Sequence, residues 1–128
     1  RSRVRVPPLW LTDMMKHFII LKQDYLDLIL KKSPKVITIF GSIYCGTCRE
    51  LVKDHLDGIA KRFADYLFVY IDAEDSQGNI TFPHTMSLLK NKEPDYWPYW
   101  VFWNKGIEQK DSYLTWGKEV DDWIRKLE

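Results

Sequence analysis

The run from Val36 to Phe40, VITIF, constrains the fold most, because it is rich in β-branched residues and almost entirely apolar. Such a run favours a central strand that is buried on both faces of a sheet. Gly41-Ser42 ends the run, and from Gly46 onward apolar residues recur at the three- and four-residue steps of a helix. These apolar residues are Leu51, Val52, Leu56, Ile59, Ala60 and Phe63. The sequence therefore predicts a buried strand that leads into a helix.

The rest of the chain divides into further strands and helices by the same patterns. Strands are predicted at Phe18–Leu21, Tyr66–Ile71 and Tyr99–Trp103, followed by a turn at 104–106 and a partner strand at 107–113. Helices are predicted over Leu9–His17 with Thr12 or Asp13 as the cap, from Asp24 to Lys32, near His84–Lys90 and from about Lys118. Phe18–Leu21 could instead continue the helix before it, since periodicity does not separate the two. This order implies an α/β fold with a central mixed sheet flanked by helices.

Length and charge narrow the class of protein. A chain of 128 residues suits one domain, which we place at 18–128 after an N-terminal extension at 1–17. The 19 Lys and Arg residues nearly balance the 18 Asp and Glu residues, so no broad positive electrostatic field is expected to attract nucleic acid or anionic lipid. No apolar run reaches the length of a membrane span. The chain begins with Arg1 rather than Met, so a signal peptide or anchor that has been removed is an open alternative.

Both cysteines of the chain lie in the segment YCGTCRE, at the predicted junction of strand and helix. A thiolate at Cys45 would face unpaired N–H groups at the start of the helix, so its pKa is expected to fall from about 8.5 toward 7 or lower. Cys48 lies one helical turn further on and can reach back across Gly46 and Thr47. The spacing therefore predicts Cys45 as a nucleophile and Cys48 as the thiol that resolves a mixed disulfide.

Two other roles for the cysteine pair are weaker. A structural disulfide across two residues closes too small a loop to restrain the unfolded chain much. A zinc site needs four ligands, and only His17, His55 and His84 could add to the pair, with no second C-x-x-C motif. Each histidine better fits a surface or half-buried position, and no metal is expected.

Four features together resemble the thioredoxin superfamily over residues 18–128. They are VITIFGSIYCGTCREL, LFVYID, an X-Pro bond before a strand, and WNKG before the last helix. The resemblance implies a thioredoxin-like fold and a protein thiol:disulfide oxidoreductase. It implies no cofactor beyond the redox-active disulfide Cys45–Cys48.

The resemblance also implies residues that bind the substrate. Pro98 matches the family's cis-proline beside the redox pair, and Trp97 before it would offer its backbone to an extended substrate. An ordinary proline at a strand start is the alternative. Tyr44, which precedes the first cysteine, and Tyr96 are further candidates for substrate contact. Simple packing of the loop is equally open for Tyr96 and Trp97.

The sequence departs from thioredoxin at several positions. Gly46-Thr47 replaces the Gly-Pro between the cysteines, and Ile39 and Phe68 stand where thioredoxin has a buried aspartate and its lysine partner. The proton acceptor for Cys48 is therefore unassigned.

Candidates for that acceptor are Glu50, Tyr44 and water. The connection before Pro98 is also longer than usual in the family. We expect its extra residues, roughly Gln77 to Tyr96, to lie beside the active-site face and to shape the choice of partner.

Function is expected at the level of protein redox chemistry. The partners would be protein disulfides or dithiols and a redox recycling partner, with no nucleic acid, and the protein is expected to be a monomer. The lack of histidine between the cysteines favours a reductase. A binding or chaperone-like module, or a redox-dependent sensor, is the alternative. The confinement of both cysteines to one motif favours a periplasmic or secretory compartment, while the cytoplasm stays open.

Overall fold

A computed structural model describes residues 12–15 and 17–128 of the chain, with side-chain detail from His17 onward. The strands are β1 Thr12–Met15, β2 Phe18–Leu21, β3 Lys35–Ser42, β4 Leu67–Glu74, β5 Tyr99–Asn104 and β6 Ile107–Tyr113. The helices are α1 Leu26–Lys32, α2 Gly46–Glu50, α3 Leu56–Arg62, α4 Pro83–Ser87 and α5 Lys118–Arg125, with a π-helical turn at Leu51–His55 between α2 and α3. The strands form one mixed sheet in the order β1-β2-β4-β3-β5-β6.

Strand β3 lies inside the sheet, as its apolar sequence predicts. It pairs in parallel with β4 on one side and antiparallel with β5 on the other. Every residue from Val36 to Ser42 is buried, so both faces of the strand are covered. The carboxyl end of β3 leads through Ile43 and Tyr44 to the cysteine motif, which places the motif just beyond the carboxyl end of an interior strand.

Each face of the sheet carries its own hydrophobic core. On strand β5, Tyr99, Val101 and Trp103 enter one core, while Trp100 and Phe102 enter the other, as the alternation of side chains predicts. The first core is covered by residues of α1 and α4, namely Leu26, Ile29, Leu30 and Met86. The second is covered by residues of the π-helical turn, α3 and α5, namely Leu51, Leu56, Ile59, Val120 and Ile124. The predicted α/β layering is confirmed.

The predicted helix at Leu9–His17 is wrong where the structure describes it. Thr12–Met15 is a strand that pairs antiparallel with β2, with Thr12 opposite Leu21. Pairing with the exposed edge of β2 supplies backbone hydrogen bonds that local sequence cannot reveal. Thr12 and Asp13 therefore cap no helix, and residues 9–11 lie outside the described part. The strand at Phe18–Leu21 is confirmed, and its reading as a helical continuation is wrong.

The sequence predicts that a helix begins at Asp24, but Asp24 does not cap helix α1. That helix begins at Leu26, and Tyr25 before it forms no capping hydrogen bond through its side chain. The Asp24 carboxylate instead accepts hydrogen bonds from the backbone N–H groups of His84, at 2.8 Å, and Thr85, at 2.7 Å. These groups lie in the first turn of α4, so Asp24 caps a helix that is distant in sequence.

The helix after the cysteines is not regular α-helix throughout. The buried residues Leu51 and Leu56 are five positions apart, which is more than one α-helical turn. The π-helical turn between them takes up the additional residue, so both side chains enter the same core. The predicted helical segment is present, and its periodicity is corrected at this point.

Candidate redox site

Cys45 and Cys48 are joined by a disulfide bond at the start of α2, with Cα atoms 5.2 Å apart. Cys45 is the N-cap residue, and its sulfur accepts a hydrogen bond from the backbone N–H of Cys48 at 3.1 Å. Cys45 is partly exposed, whereas Cys48 is completely buried. A negative charge on the Cys45 sulfur would be stabilised by this N–H group and by the positive end of the helix dipole. Cys45 is thus the sulfur that a partner can reach.

The two residues between the cysteines differ in their surroundings. Gly46 is exposed, and a Cβ added there would meet no atom within 4 Å. Thr47 is half-buried. The space beside Gly46 is therefore open.

The segment before β5 lies beside the disulfide. The Trp97–Pro98 peptide bond is cis, and Pro98 is buried. The carbonyl oxygen of Trp97 lies 3.8 Å from the Cys45 sulfur. The Trp97 side chain is half-buried and packs against both hydrophobic cores. This arrangement brings the backbone before β5 close to the exposed sulfur.

Exposed aromatic side chains occur at the other two candidate substrate contacts. Tyr44 is 72% exposed and Tyr96 is 68% exposed. The Tyr96 ring packs edge-on against Tyr113, with ring centroids 5.6 Å apart. The hydroxyl of Tyr113 accepts hydrogen bonds from the backbone N–H of Asp95 and the amide of Asn91, at 3.0 and 3.2 Å. Tyr113 therefore holds the loop that carries Tyr96.

Hydrogen bonds hold the long connection before Pro98 at several points. Besides the Asp24 cap on α4, the buried carboxylate of Glu108 accepts the backbone N–H of Lys90 at 2.9 Å. The Lys92 ammonium donates to the carbonyl oxygens of Ser87 and Leu89. The connection also borders a surface groove. That groove is lined by Glu74, Ile80, Pro83, Met86, Ser87, Lys92, Glu93, Pro94 and Trp97.

A polar cluster that sequence reasoning missed lies behind Cys48. The buried hydroxyl of Tyr70 donates to the Asp72 carboxylate at 3.0 Å and accepts from the Arg49 guanidinium at 2.8 Å. Arg49 also forms an ion pair with the same carboxylate. Burial, and next the negative charge of Asp72, raise the pKa of Tyr70 well above its ordinary value, while Arg49 opposes the shift. The phenol therefore stays protonated far beyond neutral pH.

Two signals in the sequence point to this cluster in hindsight. Tyr70 and Asp72 are two apart on a strand, so they share a face. Arg49 directly follows Cys48 in helix α2, and this helix begins just after the carboxyl end of β3. By contrast, the acceptors named from sequence lie at the surface, since Glu50 and Tyr44 are both exposed.

The positions that would carry a buried charge pair hold apolar side chains. Ile39 and Phe68 are both fully buried in the same core as Cys48. No ionisable group thus replaces the aspartate and lysine at those two positions.

The histidines lie apart from the cysteines and contact other groups. The ring nitrogen Nδ1 of His17 is 3.1 Å from Asp57, the ring of His55 stacks on Trp116, and His84 lies 3.4 Å from Asp27. Within residues 12–15 and 17–128, no three His, Cys, Asp or Glu side chains are grouped so as to hold a metal ion. In the same part of the chain, no helix is long and apolar enough to cross a membrane.

Comparisons with solved structures identify the fold. The oxidized thioredoxin O2 of Arabidopsis thaliana superposes with a TM-score of 0.68 at 18% identity, covering 89% of this chain and 96% of the other. NaTrxh of Nicotiana alata gives 0.66 at 15%, covering 89% and 95%, and Schistosoma mansoni thioredoxin gives 0.65 at 20%, covering 85% and 94%. No protein-family model and no curated protein sequence matches the chain. The chain has the thioredoxin fold.

Proposed function

We propose that this protein is a thiol:disulfide oxidoreductase that acts on protein substrates. The observation that supports the proposal most is the asymmetry of the disulfide. Cys45 is partly exposed at a helix N-cap, and it is bonded to Cys48, which is completely buried. This arrangement separates an attacking sulfur from a resolving one.

In the reducing direction, the Cys45 thiolate attacks one sulfur of a substrate disulfide. The bond between the substrate sulfurs breaks, and the departing sulfur leaves as a thiolate that takes a proton from water. Cys48 then loses its proton and attacks Cys45, which releases the second substrate sulfur. Two electrons pass to the substrate, and the Cys45–Cys48 disulfide forms.

The substrate would bind as an extended segment beside Trp97. The nearness of the Trp97 carbonyl to the Cys45 sulfur supports this position, since an extended chain can pair with backbone there. Tyr44 and Tyr96 present exposed rings on which substrate side chains can pack. A recycling partner would use the same surface to restore the dithiol, with the protein acting as a monomer.

Reduction of a protein disulfide, such as that of insulin by dithiothreitol, tests the proposal. The wild-type protein should accelerate the reaction, and Cys45→Ser should abolish the acceleration. Cys48→Ser should accumulate a mixed disulfide with the substrate that mass spectrometry detects. Lys118→Ala, an exposed position on α5, serves as the control. If Cys45→Ser reduced insulin as fast as the wild type, the redox role would be wrong and a binding module would be favoured.

The direction of the reaction needs a separate measurement, which is equilibration with glutathione. We expect a reduction potential closer to the roughly −270 mV of thioredoxin than to the roughly −120 mV of the oxidant DsbA. A potential near the second value would contradict the assignment as a reductase.

A further inference from the structure

We propose that Tyr70, together with Asp72, carries the proton away from the buried thiol of Cys48 during the resolving step. This inference rests on the proposed function, because it concerns the second half of that reaction. It assigns a group to a task that neither the surface candidates nor the positions of Ile39 and Phe68 fulfil.

The need for such a group follows from burial. Cys48 is completely buried in a core that also contains Ile39, Leu51 and Leu56. An apolar environment disfavours the charged form of a thiol, so ionisation of Cys48 requires a nearby polar group to accept the proton. Water has no direct access to the sulfur in this position.

The backbone at Gly41 shows that Tyr70 is within reach of this sulfur. A Cβ atom added to Gly41 would overlap the Tyr70 hydroxyl oxygen and lie 2.9 Å from the Cys48 sulfur. Those two atoms are the nearest neighbours of that point, and the third is the Tyr70 ring carbon that bears the hydroxyl. The hydroxyl and the sulfur therefore border the same small space, which exists because residue 41 has no side chain.

The hydrogen bonds of Tyr70 lead from this space toward solvent. A tyrosine hydroxyl has one proton to donate and two lone pairs that accept. Its proton goes to Asp72, and one lone pair accepts from Arg49, which leaves the second lone pair for the Cys48 thiol. The Asp72 side chain is 29% exposed, so it can exchange a proton with water. Arg49 from α2 and Asp72 from the same strand are the ionisable groups that act on Tyr70.

The step balances without another reactant. The Cys48 proton passes to the Tyr70 oxygen while the proton of Tyr70 passes to the Asp72 carboxylate. The electron pair left on the Cys48 sulfur forms the bond to the Cys45 sulfur. The bond between Cys45 and the substrate sulfur breaks, and its electron pair leaves with the substrate as a thiolate. Asp72 then releases its proton to water, from which the thiolate takes one.

Stopped-flow reaction of the reduced protein with Ellman's reagent separates the two sulfurs. Attack by Cys45 releases the first thionitrobenzoate, and resolution by Cys48 releases the second. Tyr70→Phe should leave the first phase unchanged and slow the second by about tenfold to a hundredfold at neutral pH. The midpoint of the pH profile of the second phase should also move to higher pH.

Tyr99→Phe provides a matched control. Tyr99 is also buried and donates its hydroxyl to a carboxylate, that of Asp111, at 2.5 Å, but its ring lies in the core on the other face of the sheet. It should leave both phases unchanged. A second-phase pH profile in Tyr70→Phe that matches the wild type would overturn the proposal.

Asp72→Asn separates proton transfer from a simple effect of charge. Removal of a negative charge alone would ease ionisation of Cys48 and speed the second phase, whereas loss of the proton route slows it. A faster second phase would therefore count against the proposal, and this partly exposed position keeps the test independent of any folding defect in Tyr70→Phe. Failure of the wild type to reduce insulin would instead contradict the proposed function itself.

Discussion

The indole N–H of Trp103 donates a hydrogen bond of 2.9 Å to the hydroxyl of Thr38, across the pairing of β3 and β5. Both residues are buried, and the Thr38 hydroxyl donates in turn to the carbonyl oxygen of Val101. Thr38 is the one polar residue in the central strand segment from Val36 to Phe40. A strand that is otherwise apolar thus contains a hydrogen-bonded pair that fixes the position of a large aromatic side chain.

Thr38→Val should lower the free energy of unfolding by about 1–3 kcal/mol. Valine has nearly the same shape, but it leaves the buried indole N–H of Trp103 without an acceptor. Urea denaturation followed by tryptophan fluorescence measures the change. Thr38→Ser keeps the hydroxyl and should retain this hydrogen bond. If valine were as stable as threonine, the indole would have another acceptor.

Asp24→Ala should destabilise the protein by about 0.5–2 kcal/mol, as loss of an N-cap does elsewhere. The alanine removes the acceptor for the backbone N–H groups of His84 and Thr85 at the start of α4. Amide hydrogen exchange at Thr85 should accelerate, because the long connection before Pro98 loses one of its attachments. Asp24→Asn keeps one side-chain oxygen, so its stability should lie between those of the wild type and Asp24→Ala. Unchanged exchange at Thr85 in Asp24→Ala would contradict the capping role.

Gly41→Ala should lower stability by about 1–3 kcal/mol, the usual cost of overpacking a core. The added Cβ would overlap the Tyr70 hydroxyl, and both Tyr70 and Cys48 are held by a packed core. Thermal unfolding of the oxidised protein measures this loss.

Gly46→Ala is the matched substitution in the same motif. Its Cβ meets nothing within 4 Å, so the effect on stability should be much smaller than at Gly41. Equal stabilities for the two variants would show that the space above Gly41 is less filled than described.

The buried hydroxyl of Tyr99 should make the free energy of unfolding fall at alkaline pH. Burial, and next the hydrogen bond to Asp111, raise the pKa of Tyr99 above its ordinary value. A raised pKa contributes stability that is complete below the unfolded value of about 10 and is lost as pH rises toward the folded value. Tyr99→Phe should therefore reduce the slope of unfolding free energy against pH above about 10, by at most ~1.4 kcal/mol per pH unit. An unchanged slope in urea denaturation would contradict this.

Elements with a strong local pattern were predictable from sequence, and their neighbours in space were not. The apolar run at Val36–Phe40 and the alternation of side chains through β5 can each be recognised from a few consecutive residues. The strand at Thr12–Met15 exists because β2 offers it an edge, and Asp24 finds its partner Thr85 sixty-one positions away. Local patterns carry no information on such pairings.

In the candidate site, too, local relationships were predictable from sequence and distant ones were not. The C-x-x-C motif and its placement at a strand–helix junction predict Cys45 as the nucleophile and Cys48 as the resolving thiol, because helix geometry relates nearby residues. The Tyr70 hydroxyl and the Cys48 sulfur border the same space at Gly41 because β3 pairs in parallel with β4, which sets Gly41 opposite Asp72. A search for buried acids at the family's usual positions therefore passes over a hydroxyl two residues from a carboxylate.

The π-helical turn at Leu51–His55 has a consequence for how chemistry and packing are combined in one helical segment. An α-helix advances by about 100° per residue, so one residue more or fewer rotates everything beyond it by that angle. The turn thus works as an angular spacer, with the cysteine pair on one side and the sheet-facing residues of α3 on the other. Loss of a single residue within it would rotate α3 by about 100° relative to the cysteine pair, so Leu56 could enter the core only if Cys45 left its position beside Trp97.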